Sequence, residues 1–418
     1  MGDLGHDVVV TGVGVCCNMG DDTTEILGRL REGRNVPFER WDVAVEMQAR
    51  CQIIGKYNGD VSDAGLGIPK KLSRFMGRAS RLALRATQLA TAQSALFDAK
   101  LGHLERREVA VVYGVGTGDV DTHLEIRRKL DDTHDAKRVV PTVIPKLMAS
   151  TVSANLVNVL RTTGPSFTAT AACAGGTYNI LLACQLIQSG HVRAAIAGGV
   201  EAIDPHFFAG FDAMGAYNGK DNDRPERASR PYAADRAGFI FGEGSGSVVL
   251  ERRDDAEKRG AKILGVVRGF GMSSDGLGEM VAPAASGAAR AMRIACETSG
   301  VPVEEIDYVN THGTSTPLGD ISEVRAMREV FNGRHVPYSS TKGYTGHTIS
   351  AAGVIEGIFT MAMAQGGWIA PCVNATPLDP EVETYAPVTA PRTTPLRYAM
   401  SNSFGFGGTN AALLVSAS

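Results

Sequence analysis

Seven cysteines occur in the sequence, at positions 16, 17, 51, 173, 184, 296 and 372, and one of them has a setting that favours chemistry. Cys173 stands in SFTATAACAGGTYNILLACQLIQSGH. Residues 166–170 read as a strand, 178–188 show helical apolar spacing, and Gly190 supplies a C′ residue. Cys173 therefore falls on the tight connection where a strand turns into a helix. A thiol there faces unpaired N–H groups and the positive end of the helix dipole, which both favour thiolate. Gly175 and Gly176 let backbone or substrate come close. The alternative is a buried structural cysteine, common for free thiols. The other six lack this context and are assigned to it.

Two histidines share a second pattern. His312 lies in VNTHGTSTPLGD, after a strand at 307–310 and before a helix at 321–331 whose N-cap is expected at Asp320. His347 lies in SSTKGYTGHTISAAG, in a turn before another helix, with Lys342 five residues ahead of it. Strand ends of this kind present site residues in open α/β sheets. A hydrogen-bonded structural role is the alternative for either histidine alone. Cys173 with both histidines could bind zinc, but the three are far apart in sequence and lack ligand spacing such as HExxH. In SNSFGFGGTN (401–410), Gly405, Gly407 and Gly408 bracket Phe406. Such a loop can offer a backbone N–H to an oxyanion. It lacks the Walker lysine and the GxGxxG spacing of a nucleotide cradle, and a plain tight turn is its alternative.

The elements that must position these residues follow from periodicity. A buried strand at 8–10 enters a glycine turn at Gly12. Helices are expected at 24–31, stopped by Gly33, and over a long stretch at 72–96. A strand at 109–113 precedes GVGTG, a helix covers 149–160, and a strand covers 194–200. The charged run ERRDDAEKRG (251–260) reads as a hinge, after which KILGVVRGFG begins a strand and a helix follows at 286–299. Strand and helix alternate on both sides of it, which argues for α/β layers in two fused halves, 1–260 and 261–418. The apolar stretch 351–369 carries Glu356 and several glycines and reads as a buried helix rather than a membrane span. The 418 residues are 44% apolar and 21% charged, with net charge −3. Nothing in that balance suggests nucleic acid. The 49 glycines exceed the roughly 7% of average usage. The odd cysteine count, without a CxxC pair, fits no disulfide framework or structural zinc and suits a reducing compartment. MGDLGHDVVVTGVG lacks the basic region and apolar length of a signal peptide, so a cytoplasmic protein is expected.

The blocks TAACAGG, NTHGTSTPLGD, SSTKGYTGH and SNSFGFGGTN closely resemble the four signature blocks of the β-ketoacyl-[acyl-carrier-protein] synthases. The resemblance runs from VVVTGVG through ASRPYAADRAGFIFGEGSG to the C-terminal block. FDAMGAYNGKDNDRPERASR and SDGLGEMVAPAASGAARAM look more like the synthase I branch than synthase II. The resemblance implies a thiolase fold, two similar βαβαβαβ halves in an α/β/α/β/α sandwich, in a homodimer. It implies Cys173 as nucleophile, His312 and His347 as catalytic histidines, and Lys342 with Glu323 as a supporting charged pair. Phe406 matches a gate residue whose backbone N–H completes an oxyanion hole with that of Cys173. No cofactor and no metal are implied.

The implied partner is an acidic acyl carrier protein, and Lys71, Arg74, Lys137 and Arg138 stand at roughly the places of the family's basic docking surface. Ordinary solvated charges are the alternative for each. The implied reaction is decarboxylative condensation in fatty acid elongation. A specialised lipid, polyene or polyketide pathway is the alternative. One departure stands out: where the family has Leu-Gly-Ala-Ala-Gly after TGH, this chain has TISAAG, with Ser350 in place of a glycine. That leaves acyl and carrier preference open. Three rivals differ in their residues or products. Chain-length-factor partners lack the nucleophile, coenzyme A thiolases carry a second cysteine in place of a histidine, and a Cys–His hydrolase would release free acid.

Overall fold

The computed structural model describes residues 7–98, 105, 108–118, 120–281 and 283–418. Residues 1–6, read above for a leader, lie outside them. Ten strands form the framework: β1 (Val8–Cys16), β2 (Val109–Val115), β3 (Ser166–Phe167), β4 (Ala194–Glu201), β5 (Gly244–Arg252), β6 (Gly265–Ser274), β7 (Tyr308–Asn310), β8 (Tyr338–Ser339), β9 (Tyr398–Gly405) and β10 (Thr409–Ser416). Six helices flank them: α1 (Arg78–Ser94), α2 (Thr151–Leu160), α3 (Gly175–Gln188), α4 (Ala285–Ser299), α5 (Pro317–Val330) and α6 (Ala352–Gly366).

The strand order is β8-β7-β9-β10-β6-β1-β5-β4-β2-β3. Read outward from the middle, β1-β5-β4-β2-β3 and β6-β10-β9-β7-β8 are the same arrangement. The directions also match. β1/β5 and β5/β4 are antiparallel, while β4/β2 and β2/β3 are parallel. β6/β10 and β10/β9 are antiparallel, while β9/β7 and β7/β8 are parallel. One motif is therefore folded twice. The two sets of five are joined where Val8, Val9 and Val10 pair with Val267, Val266 and Gly265.

Helices α1 and α2 cover the outer face of the first set, and α4, with α5 against it, covers the outer face of the second. Helices α3 and α6 lie between the sets and touch each other, giving five layers, α/β/α/β/α. Their small residues permit the contact. A Cβ on Gly176 would lie 2.8 Å from the Ser350 carbonyl oxygen, and one on Gly353 would lie 2.1 Å from Thr177 Oγ1. The first turns of the two central helices thus meet almost backbone to backbone, which brings the connections that precede them side by side.

Several elements differ from the sequence reading. β1 does not turn at Gly12 but continues to Cys16. Gly12 and Gly14 instead let α1 approach, since added Cβ atoms would lie 2.1 Å from Ala90 O and 2.0 Å from Ala86 O. The helix expected at 72–96 is broken into Lys70–Ser73 and α1, with Gly77 extended at the N-cap. β3 stops at Phe167, because Asn179 binds both the N–H and the carbonyl of Ala169 and takes them from the ladder. Helix α5 starts earlier than expected. Pro317 occupies its first turn after Thr316, so Asp320 is not the N-cap. The Asp320 carboxylate instead accepts N–H groups from Ser315 and Tyr232 and faces Arg236. Helix α6 ends at Gly367 in the left-handed region (φ 63°). Ile349–Gly366 has the length and apolarity to cross a membrane, but 83% of that stretch is buried inside the fold.

Candidate active site

Cys173 lies in the β3–α3 connection, two residues before the helix begins. Ala172 ahead of it has φ +45°, rare for a residue with a side chain, and Ala174 N–H closes the turn on Ala171 O at 2.9 Å. The β8–α6 connection repeats this geometry. Ser350 lies two residues before its helix, and Ile349 ahead of it has φ +44°. In the duplicated fold Ser350 is the counterpart of Cys173, and His347 stands just upstream of it.

His312 follows β7. Its backbone N–H donates to Glu323 Oε1 at 3.0 Å, and that of Gly313 donates to Oε2 at 2.9 Å. Asn402 Nδ2 donates to Glu323 Oε1 at 3.0 Å. Glu323, buried on α5, therefore acts on the backbone that carries His312. The His312 and His347 rings meet edge to face, centroids 5.2 Å apart at 86°. His347 also packs against the Phe239 ring at 5.1 Å.

Lys342, at the start of the short helix Lys342–Thr345, is 1% exposed. Its ammonium pairs with Glu356 of α6. This corrects the pairing expected with Glu323, which lies within electrostatic reach of Lys342 but spends its hydrogen bonds on His312, Gly313 and Asn402. Glu356 and Asn402 were missed as site residues. Glu356 carried a usable signal, because one carboxylate inside an apolar helix must find a partner when buried. Asn310 Oδ1, Ser401 Oγ, Asn402 Oδ1 and Glu356 Oε2 are each buried without a protein partner.

The site's electrostatics follow from burial. Burial pushes the Cys173 thiol up to about 12, against lowering by Lys342 and by the backbone N–H groups of Phe406 and Cys173 itself. The helix terminus favours thiolate, and burial acts in the opposite sense. His312 is held well below the ordinary histidine range by burial, then by Lys342 and His347. His347 is lowered by burial and by Lys342. Both rings are neutral at pH 7, so each offers one N–H donor and one lone pair. Burial raises Glu323 and Glu356 to about 7, against the N–H of Gly313 and against Lys342 respectively.

Cys173 Sγ and one nitrogen of each ring lie within 4.8 Å of one another. Such a trio would also suit zinc by ligand type. Lys342, whose charge is felt at all three groups, would repel a divalent ion. Phe406 sits at the tip of the β9–β10 hairpin, 37% exposed, with its ring 6.0 Å from that of Phe211 and its N–H directed at the Cys173 sulfur. A cavity of about 540 Å³ runs from exposed Met280 and Leu318 past Phe239 to Cys173, His312 and His347. Lys71 and Arg74 at the helix Lys70–Ser73, and Lys137 and Arg138 in the turn Ala136–Arg138, are exposed but do not line this cavity.

The chain as a whole is similar to known proteins. Residues 5–256 match the profile of the β-ketoacyl synthase N-terminal domain, and residues 264–376 match that of its C-terminal domain. The chain belongs to the β-ketoacyl synthase family. It is 38% identical over 407 residues to 3-oxoacyl-[acyl-carrier-protein] synthase 1 of Haemophilus influenzae, covering 97% of this chain and 98% of that one. The Escherichia coli K12 protein of the same name is also 38% identical, over 408 residues, with coverage of 97% and 98%. Synthase 2 of Synechocystis is 36% identical over 419 residues, covering 97% of both chains. Among solved structures, a β-ketoacyl synthase from Burkholderia phymatum superposes with a TM-score of 0.90 at 33% identity, covering 99% of this chain and 100% of that one. As a β-ketoacyl synthase of thiolase fold, the protein is an acyltransferase.

Proposed function

We propose that this β-ketoacyl synthase condenses an acyl group held on Cys173 with malonyl-acyl carrier protein, giving β-ketoacyl-carrier and carbon dioxide in fatty acid elongation. The observation that carries the reading is the meeting of Cys173, His312 and His347 within 4.8 Å at the end of a largely apolar cavity. In the first half-reaction the Cys173 sulfur attacks the acyl thioester, and its proton passes by way of a neutral histidine to the departing carrier thiolate. The N–H groups of Cys173 and Phe406 receive the oxyanion. In the second, malonyl-carrier loses carbon dioxide. N–H groups of His312 and His347 hold the thioester oxygen as enolate charge grows there. The carbanion attacks the acyl-Cys173 carbonyl, and the sulfur leaves and recovers a proton.

Burial, reinforced by Lys342, keeps both rings neutral, and Glu323 holds the His312 backbone, so Lys342 and Glu323 are positioning groups. The halves 1–260 and 261–418 each bring one side of the site. The carrier is bound as a cytoplasmic partner of a homodimer, with Lys71, Arg74, Lys137 and Arg138 facing its acidic surface. The test supplies acyl-carrier and malonyl-carrier and follows carbon dioxide against β-keto product. Stoichiometric release of both supports the reading, and free acid without β-keto product refutes it.

A further inference from the structure

One buried carboxyl near the nucleophile has no part in the reaction just described. Glu201 ends β4 with no exposed surface. Its Oε2 accepts the N–H of Gly116 at 3.2 Å and that of Ser350 at 3.3 Å, and its Oε1 takes the Thr117 hydroxyl at 3.5 Å. None of these donors is a cation. The strand end after β2 is shaped for it, since a Cβ on Gly116 would lie 2.2 Å from Glu201 Oε2. The peptide of Ser350 is held from both sides: its N–H meets Glu201, and its carbonyl oxygen is 2.4 Å from where a Cβ on Gly199 would be. That peptide follows Ile349, whose positive φ is unfavourable for a β-branched side chain. Glu201 therefore clamps a strained turn three residues beyond His347. The Ser350 hydroxyl, buried and without a partner, lies over Gly175, two residues from Cys173.

We propose that Glu201 is a positioning residue for acyl loading, which holds the Ser350 turn behind His347 and places a buried carboxyl in the low-dielectric surroundings of Cys173. The proposal rests on Cys173 being the nucleophile. Among the described residues, few charged and titratable groups surround it. Cys173 faces it from the α3 connection and the Tyr217 phenol from the segment after helix Pro205–Ala213. Lys342, His312 and His347 act on Cys173 from the second half. Glu243 binds the N–H of Ile203 nearby but is paired with Arg78. Burial raises Glu201 to about 8, against the N–H groups of Ser350, Thr117 and Gly116. Near neutral pH it is a neutral acid, and in alkali it becomes a second negative charge in a site of low dielectric.

The test is alkylation of Cys173 by iodoacetamide across pH, which requires no condensation. Cys173→Ala defines the background from the six other buried thiols. For the wild type, the logarithm of the rate should bend below a straight line above roughly pH 8, where Glu201 ionises. Glu201→Gln keeps an acceptor for the Ser350 N–H but cannot acquire charge. It should match the wild type near pH 7 and react about tenfold faster near pH 9.5. Coincident profiles, or profiles offset by one factor at every pH, would overturn the proposal. If Glu201→Gln does not fold, Glu201→Asp keeps the charge on a shorter arm. It should retain the bend while reacting more slowly throughout, and loss of the bend counts against the proposal. A wild type that alkylates as described but makes no β-keto product would sink the condensing reading and leave this inference standing.

Discussion

Lys342 and Glu356 form an ion pair with side-chain exposures of only 1% and 3%, across the turn that joins β8 to α6. The ammonium serves two purposes there. It neutralises a carboxylate inside an apolar helix, and its field reaches Cys173, His312 and His347. Removing one partner of a buried pair strands the other, at a cost of about 3–5 kcal/mol. Lys342→Met should lower the urea midpoint accordingly. The double variant Lys342→Met/Glu356→Leu should recover much of the loss. A single variant with an unchanged midpoint would show that the pair is not formed.

Neutral histidines define the acid side of the activity profile. Their folded values lie well below 6.5, so condensation should stay level as pH falls through about 6.5 and decline only in stronger acid. Stability behaves differently. Below about 6.5 the unfolded chain binds protons that the folded histidines refuse, which lowers stability, whereas Glu323, Glu356 and Glu201, raised by burial, take up protons in the folded chain and act in the opposite sense. In Lys342→Met the lowering charge is gone and the acid limb of activity should move up. A wild-type limb centred at the ordinary histidine value would contradict the burial of both rings.

Cys173→Ala should form no acyl adduct. Incubation with acyl-carriers of graded length, read by intact mass, should load the wild type and leave the variant at its unmodified mass. Adducts of equal yield on both proteins would place the acyl group elsewhere.

The contact between the central helices predicts an intolerant glycine. In Gly176→Ala the new Cβ would stand 2.8 Å from Ser350 O and 2.9 Å from Val354 N, both backbone atoms. Forcing them apart should cost about 1–3 kcal/mol in urea and slow acyl loading by shifting both connections. Wild-type stability together with wild-type loading would argue against this packing.

For the carrier, reversing charge at Lys71 and Arg74 should raise KM for acyl-carrier and leave kcat nearly unchanged. Wild-type affinity should weaken as ionic strength rises. A KM unmoved by either change would remove these residues from the docking surface.

Much of this protein is legible in one dimension. Cys173, His312, His347 and Lys342 stand out through residue type, nearby glycines and position after a strand, which are local properties, while the role of Phe406 was implied by the family resemblance. The alternation of strands and helices likewise implied α/β layers. What local pattern could not reach was pairing across distance. Gly12 looked like a turn because a glycine's reason is invisible until α1 is laid against it. Asp320 looked like an N-cap because Tyr232 and Arg236, its partners, lie far upstream. Lys342 was matched to Glu323 rather than Glu356, and only the meeting of β8, α5 and α6 shows which carboxylate takes the ammonium. The burial that raises the Cys173 thiol was out of reach for the same reason: a helix terminus is visible in sequence, whereas desolvation is the sum of everything packed around it. The sequence alone determined which groups are available for chemistry, because side-chain type and backbone turns are encoded locally. Tertiary structure decided their partners and protonation, because burial and charge pairing depend on which elements pack together, not on spacing along the chain.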